Sequence, residues 1–165
     1  NTHDLLGFIG AAVVAERLCE QMKLSPGEML TYLRSRGCKI GAVTMGSRGM
    51  LWYDESKTER FMPALSIPDD KVIDTNGAGD IFHGAYMYSY LVDPDVGWEQ
   101  HFKFARAASS HAIQHLGNEA SLPTLAQINE TAARFDVRRQ SPVELEVVSD
   151  AWSDAKVTRP AALRR

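Results

Sequence analysis

Runs of apolar and polar residues along the chain switch between a helical and a strand period, and their order predicts an α/β protein. Apolar residues recur at helical spacing from Asp4 to Met22, which predicts a buried helix or two short ones broken near Gly10. Leu5 to Ala15 is the most apolar run. Ser25-Pro26-Gly27-Glu28 reads as a helix start, with Ser25 as cap, Glu28 reaching back and Pro26 at the first helical position. Met29, Leu30 and Leu33 share one face of that helix, which stops at Gly37. Residues 38–45 follow as a short buried strand ending at Gly46, and helix, glycine, buried strand is the order of a parallel α/β sheet.

Further along, Met50 to Tyr53 and Thr58 to Met62 flank the polar Asp54-Glu55-Ser56-Lys57, which predicts a β-hairpin. Val72 and Ile73 read as a strand end, followed by a glycine turn and an apolar helix running to Val92. Another helix is predicted from about Gly97 to Leu116, ending at Gly117. Thr124, three residues before Gln127, opens a last one to about Phe135. Beyond Asp136 the periodicity fades. Val143 to Val148 is a candidate strand, and the tail 137–165 is expected to be peripheral or partly disordered beside a single domain over 1–136.

Composition narrows the classes. A chain of 165 residues that is 44% hydrophobic and 24% charged is ordinary for a globular protein with a core. The formal charge of −3 argues against wholesale nucleic-acid binding. The run from Leu5 to Ala15 is short of the ~20 residues a bilayer span needs, so no membrane partner is expected. It also has no positive charge ahead of it, which a signal peptide requires. Cys19 and Cys38 make no disulfide framework and are expected as buried free thiols of a cytoplasmic protein. The chain opens on Asn rather than Met, so a segment upstream is expected.

The sharpest chemical feature is Asn76-Gly77-Ala78-Gly79-Asp80 at the start of a helix. Two glycines around an alanine let the backbone bend tightly and turn successive N–H groups outward, and the helix dipole adds to them. Such a turn cradles anions, and a carboxylate at its end sets a proton acceptor beside the cradle. A Walker loop is ruled out, because no lysine lies between Lys71 and Lys103; a dinucleotide fingerprint would need glycine where Phe82 stands. On the residues alone, Asp80 is either that proton acceptor or a helix cap.

Other polar residues are read more plainly. His111 and His115 share a helix face, but Ala112 stands where a zinc protease has Glu, so no metal role is expected. His83, one turn beyond Asp80, is within reach of the site, but it is expected to pack or face solvent. Trp52, Trp98, Tyr86, Tyr88 and Tyr90 read as core and helix-face residues.

Asp74-Thr75-Asn76-Gly77-Ala78-Gly79-Asp80 is similar to the second signature of the ribokinase/PfkB family of carbohydrate kinases, Asp-Thr-x-Gly-Ala-Gly-Asp, at every fixed position. Thr44-Met45-Gly46-Ser47-Arg48-Gly49 resembles that family's nucleotide-phosphate loop. Asn1-Thr2-His3-Asp4 resembles its Asn-x-x-Glu motif, with Asp4 in place of Glu, and Gly117 to Pro123 resembles the loop closing the nucleotide site. The resemblance covers roughly residues 1–135. It implies a three-layer α/β/α ribokinase-like sheet with a small β-hairpin, lacking the N-terminal half and lid of the fold.

The resemblance also implies roles. Asp80 is the general base for a sugar hydroxymethyl group, and Gly77, Ala78 and Gly79 donate amides to the transferring phosphoryl. Thr44, Gly46 and Gly49 hold the phosphates of ATP, and the stretch from Arg106 to Ser110, with Gly117, borders the nucleotide. Asn1 and Asp4 belong with Mg2+. Asp74, the carbonyls of Asn76 and Gly117, and Ser121 belong with a monovalent cation such as K+. The expected partner is a sugar or sugar-like small molecule, and a homodimer is allowed for the full-length protein. Because the family's sugar contacts come mostly from the half absent here, a fragment of a longer polypeptide is expected, with a shortened gene product the alternative. A nucleoside kinase of the same family, a catalytically silent nucleotide-binding module and a dinucleotide oxidoreductase are the rival readings.

Overall fold

The computed structural model describes residues 10–117 and 119–136. It is built on a four-stranded mixed sheet in the order β1-β2-β3-β4, with β1 at Ala11–Ala15, β2 at Ile40–Thr44, β3 at Met50–Tyr53 and β4 at Arg60–Met62. Helices α1 (Glu16–Met22) and α2 (Pro26–Ser35) carry the chain from β1 to β2, which therefore run parallel, Ala11 opposite Ile40 and Ala15 opposite Thr44. Helices α3 (Ala78–Val92), α4 (Trp98–Ala112) and α5 (Leu125–Phe135) follow the hairpin.

Over the described residues the helix expected across Asp4 to Met22 is corrected: a helix runs from Glu16 to Met22, and Ala11–Ala15 ahead of it is a strand. Gly10, at φ +66°, turns the chain into it. Small alanines and two β-branched valines suit a strand packed on both faces, and a short, wholly apolar run has no period to separate strand from helix. Residues 1–9 lie outside the described residues, as do the candidate strand Val143–Val148 and the tail 137–165. A second correction concerns Val72 and Ile73. They form no strand; a 3-10 turn at Asp69–Lys71 leads into an extended segment whose Ile73 and Asp74 amides both bond the Ile113 carbonyl, at 2.8 and 3.2 Å.

Alternation along the strands divides the core into layers. One face sets Ala11, Ile40, Ala42, Met50 and Trp52 against Phe82 of α3 and Phe102 and Ala105 of α4. The other sets Ala12, Val43 and Tyr53 against Cys19 of α1 and Met29, Leu30 and Leu33 of α2. A third cluster joins Leu65, Ala107 and Ala108 to Ile128 of α5. The three-layer α/β/α arrangement is thus observed. Both cysteines are buried free thiols, and burial pushes both up from the ordinary thiol value. Tyr86 and Trp98 are partly buried against the first cluster, whereas Tyr88 and Tyr90 are exposed on α3.

Local signals held where they were self-contained. Ser25 and Thr124 both close capping boxes, with Glu28 and Gln127. The hairpin turn is fixed by Asp54, whose carboxylate accepts from the Ser56 amide at 3.0 Å and pairs with Arg60 at 2.6 Å. No helix among the described residues is long and apolar enough to cross a membrane.

Gly41 shows how tightly the sheet is covered. Opposite it on β3, the Tyr53 ring lies where a side chain would stand, and a Cβ at Gly41 would meet the ring Cζ at 2.6 Å. Burial pushes the Tyr53 phenol up to about 12, and its hydroxyl donates to the Cys38 carbonyl at 3.1 Å. Gly41→Ala is therefore expected to lower unfolding free energy by about 1–3 kcal/mol in urea melts. In a double-mutant cycle with Tyr53→Ala much of that loss should disappear; strictly additive losses would contradict the packing.

Candidate active site at the glycine turn

The turn is set by Gly77. It stands at φ +73° and ψ −4°, a left-handed conformation that costs glycine little, and it is the N-cap of α3. A glycine cap has no side-chain acceptor, and no side chain caps this helix. Ala78, Gly79 and Asp80 form its first turn, where amide N–H groups have no partner within the helix. The Ala78 amide leans toward the Thr75 carbonyl at 3.4 Å, and the Ile81 amide bonds the Gly77 carbonyl at 3.0 Å. Asp80, at the third helical position, is exposed and does not cap the helix. Its carboxylate lies at the positive end of the dipole, where negative charge is favoured.

Asp80 and Gly77 open onto a cavity of about 760 Å3. Its walls are Gly84 and Tyr88 of α3, Phe104 and Ala108 of α4, and Leu122 and Leu125 at the start of α5. The site is apolar with a polar end, which is how small-molecule clefts are commonly made.

Asp74 braces the turn from below. One carboxylate oxygen accepts from the Asn76 amide at 2.9 Å, and the other accepts from the Gly117 amide at 3.3 Å. Gly117, at φ +81°, in turn accepts at its carbonyl from the Ser121 amide at 3.2 Å. Asp74, Asn76, Gly117 and the buried Ser121 therefore form one neighbourhood. All of its polar groups are oxygen acceptors or amides, chemistry that suits a hard cation. Among the described residues no group of three or more His, Cys, Asp or Glu is arranged to hold a metal ion, and Asn1 and Asp4 lie outside those residues.

Thr44, Gly46 and Gly49 lie together at the end of β2. The Thr44 hydroxyl donates to the Val14 carbonyl at 3.4 Å, and a 3-10 turn at Gly46–Arg48 follows. Gly49, at φ +100°, has no room for a side chain, because Pro63 Cα and the Ala64 amide lie 2.8 Å from where a Cβ would be. Arg48 pairs with Glu16 at the start of α1. Arg106 is mostly buried, and its guanidinium is committed within the protein, to the Pro63 carbonyl at 2.9 Å and to Asp136 at 3.0 Å. It thereby fastens α4 to the segment that packs on Gly49.

His83 is the residue whose part was missed. Its ring reaches Gly79 of the turn and Val13 of β1, the latter 70 residues away, a separation no local pattern carries. His111 and His115 stack at 4.4 Å between ring centroids, and burial, with His115 beside it, pulls His111 below the ordinary histidine value.

The sequence profile of the pfkB family carbohydrate kinases matches residues 14–125. A ribokinase from Lactococcus lactis is 25% identical over 134 residues, 81% of this chain and 42% of that protein. A solved structure of Arabidopsis thaliana ribokinase complexed with ribose and ATP superposes with a TM-score of 0.64 at 25% identity, over 78% of this chain and 42% of that one. A second, of a putative ribokinase II from E. coli in complex with ATP and Mg2+, gives a TM-score of 0.67 at 19% identity, over 81% and 42%. The chain thus spans less than half the length of these relatives.

The brace at Asp74 makes its own prediction. Asp74→Ala leaves the exposed Asn76 and Gly117 amides to water, a loss of about 0.5–1.5 kcal/mol for each bond. Hydrogen exchange at those two amides is expected to accelerate about tenfold or more, while the Ala42 and Val43 amides in the sheet stay protected. Unchanged exchange at Gly117 would show that the brace does not hold the loop.

Proposed function

The chain belongs to the pfkB family of carbohydrate kinases, and from that premise we propose that it is the ATP-binding, catalytic portion of an enzyme that phosphorylates a sugar hydroxymethyl group. The observation that carries this reading is the uncapped N-terminus of α3, begun by a left-handed Gly77 and followed by an exposed carboxylate at Asp80 beside an open cavity. Amide donors and a proton acceptor side by side are what phosphoryl transfer to a hydroxyl requires.

In this reading the sugar oxygen attacks the γ-phosphorus of ATP, the bond from that phosphorus to the ADP oxygen breaks, and the hydroxyl proton passes to the Asp80 carboxylate. The amides of Gly77, Ala78 and Gly79 receive the negative charge on the transferring group. The loop of Thr44, Gly46 and Gly49 holds the remaining phosphates. Arg106 acts at one remove by fixing the segment that seats Gly49. Asp74, Asn76, Gly117 and Ser121 would hold a monovalent cation such as K+ against the turn. Magnesium, when bound with ATP, would neutralise phosphate charge, with Asn1 and Asp4 the residues proposed for it.

The experiment is ATP-dependent phosphorylation across a panel of sugars and nucleosides, using protein from the uninterrupted gene. Asp80→Asn is expected to lower kcat by about 10²–10⁴-fold, the usual worth of a positioned base, with ATP affinity kept. A loss below threefold in a folded variant would remove Asp80 as the base. ATP binding by the wild type without turnover on any acceptor would favour a silent nucleotide-binding module.

A further inference from the structure

His83 sits one turn into α3, and both of its ring nitrogens face backbone carbonyls. Nδ1 lies 2.7 Å from the Gly79 oxygen and Nε2 lies 3.0 Å from the Val13 oxygen. A carbonyl only accepts, and a neutral imidazole has a single N–H. Both bonds exist together only when the ring carries two protons and a positive charge. Such charge-assisted bonds are roughly twice as strong as neutral ones.

The two carbonyls matter because of where they point. The Gly79 carbonyl shares a rigid peptide plane with the Asp80 amide, so holding the oxygen on one side aims that N–H toward the other. Val13 lies on β1, opposite Ala42 of β2. The Gly10 carbonyl accepts from the Ile40 amide, and the Val14 carbonyl accepts from Thr44, so both turn toward β2. The Val13 carbonyl therefore faces the other edge of β1, where no strand lies among the described residues. His83 occupies that edge and ties the glycine turn to the strand beside the one that ends at Thr44.

We propose that His83 is a positioning residue: as imidazolium it clamps the Gly79–Asp80 peptide to β1 and makes anion binding at the turn depend on its proton. The second half rests on the kinase reading above. A cation near a helix N-terminus is opposed by the dipole, so a phosphate seated on the turn stabilises the clamp, and the clamp in turn strengthens phosphate binding. Around the ring, α3 contributes Asp80 one turn back and the Tyr86 ring at 5.7 Å, and β1 contributes only alanine and valine side chains. From α4 the aromatic neighbours of Tyr86 are Trp98 and Phe102, neither of them titratable.

The test uses the full-length protein in two measurements. First, ligand-free protein with labelled histidines is followed by NMR from pH 5.5 to 9. Two protonated ring nitrogens on His83 at the acid end, with the Asp80 amide shifting in step as one proton leaves, support the clamp. An Asp80 amide indifferent to the His83 ring overturns it, and this needs no variant. Second, ATP affinity is measured over the same range for wild type and His83→Gln, whose amide does not titrate in this range. The wild type is expected to lose about 5- to 150-fold more affinity than the variant between pH 6 and 9. Equal pH dependence in both overturns the linkage. Should the wild type bind no ATP at any pH, the kinase reading and the linkage fall together, while the ligand-free titration still decides the clamp.

Discussion

The first turn of α3 carries amide donors that no side chain satisfies, and much of the surrounding structure serves to hold that turn open and still. Gly77 starts the helix in a left-handed conformation and offers no cap. Two other helices, α2 and α5, begin with capping boxes at Ser25 and Thr124 that satisfy the first amides locally, whereas α1 and α4, like α3, have no side-chain cap. A helix start left unsatisfied is unfavourable in isolation, and it becomes useful once an anion supplies the missing acceptors. What sets α3 apart from the other helices without a side-chain cap is its left-handed Gly77 and an exposed Asp80 that open onto the cavity.

Three supports converge on that turn. Asp74 ties it through two amides to the loop at Gly117, His83 ties it to the edge of β1, and Phe82 anchors the same helix in the sheet's core beside Trp52 and Phe102. Asp74 lies in the segment before α3 while His83 and Phe82 lie on α3 itself, and together they hold the turn to the Gly117 loop, to β1 and to the core of the sheet. On the far side, Gly49 and Arg106 do similar service for the loop at the end of β2. Residues that contact no substrate thus account for much of the site's order, as preorganised electrostatic catalysis requires.

How much of this was legible depended on the range of the interactions. The glycine turn, both capping boxes and the hairpin at Asp54 are written in residues a few positions apart, and the structure bears them out. The α/β sheet followed from helix, glycine and buried strand in succession, and its three layers from the family resemblance. Strand β1 was not legible, because Ala-Ala-Val-Val-Ala has no period and its identity comes from pairing with Ile40–Thr44. Val72 and Ile73 failed for the converse reason: they have a strand's composition, but their amides are taken by Asp69 and Ile113. The bridging part of His83 depends on Val13, and the clamp at Arg106 depends on Pro63 and Asp136, contacts that only the fold creates.

The central claim is that phosphate occupies the open amides of α3. Amide hydrogen exchange, residue by residue and with and without ATP, tests it most directly on the full-length protein. Slowed exchange at Gly77 to Asp80 and at Gly46 to Gly49, with the α5 amides unaffected, is the predicted result. Protection by ATP that leaves the Gly77 to Asp80 amides unchanged would contradict the account.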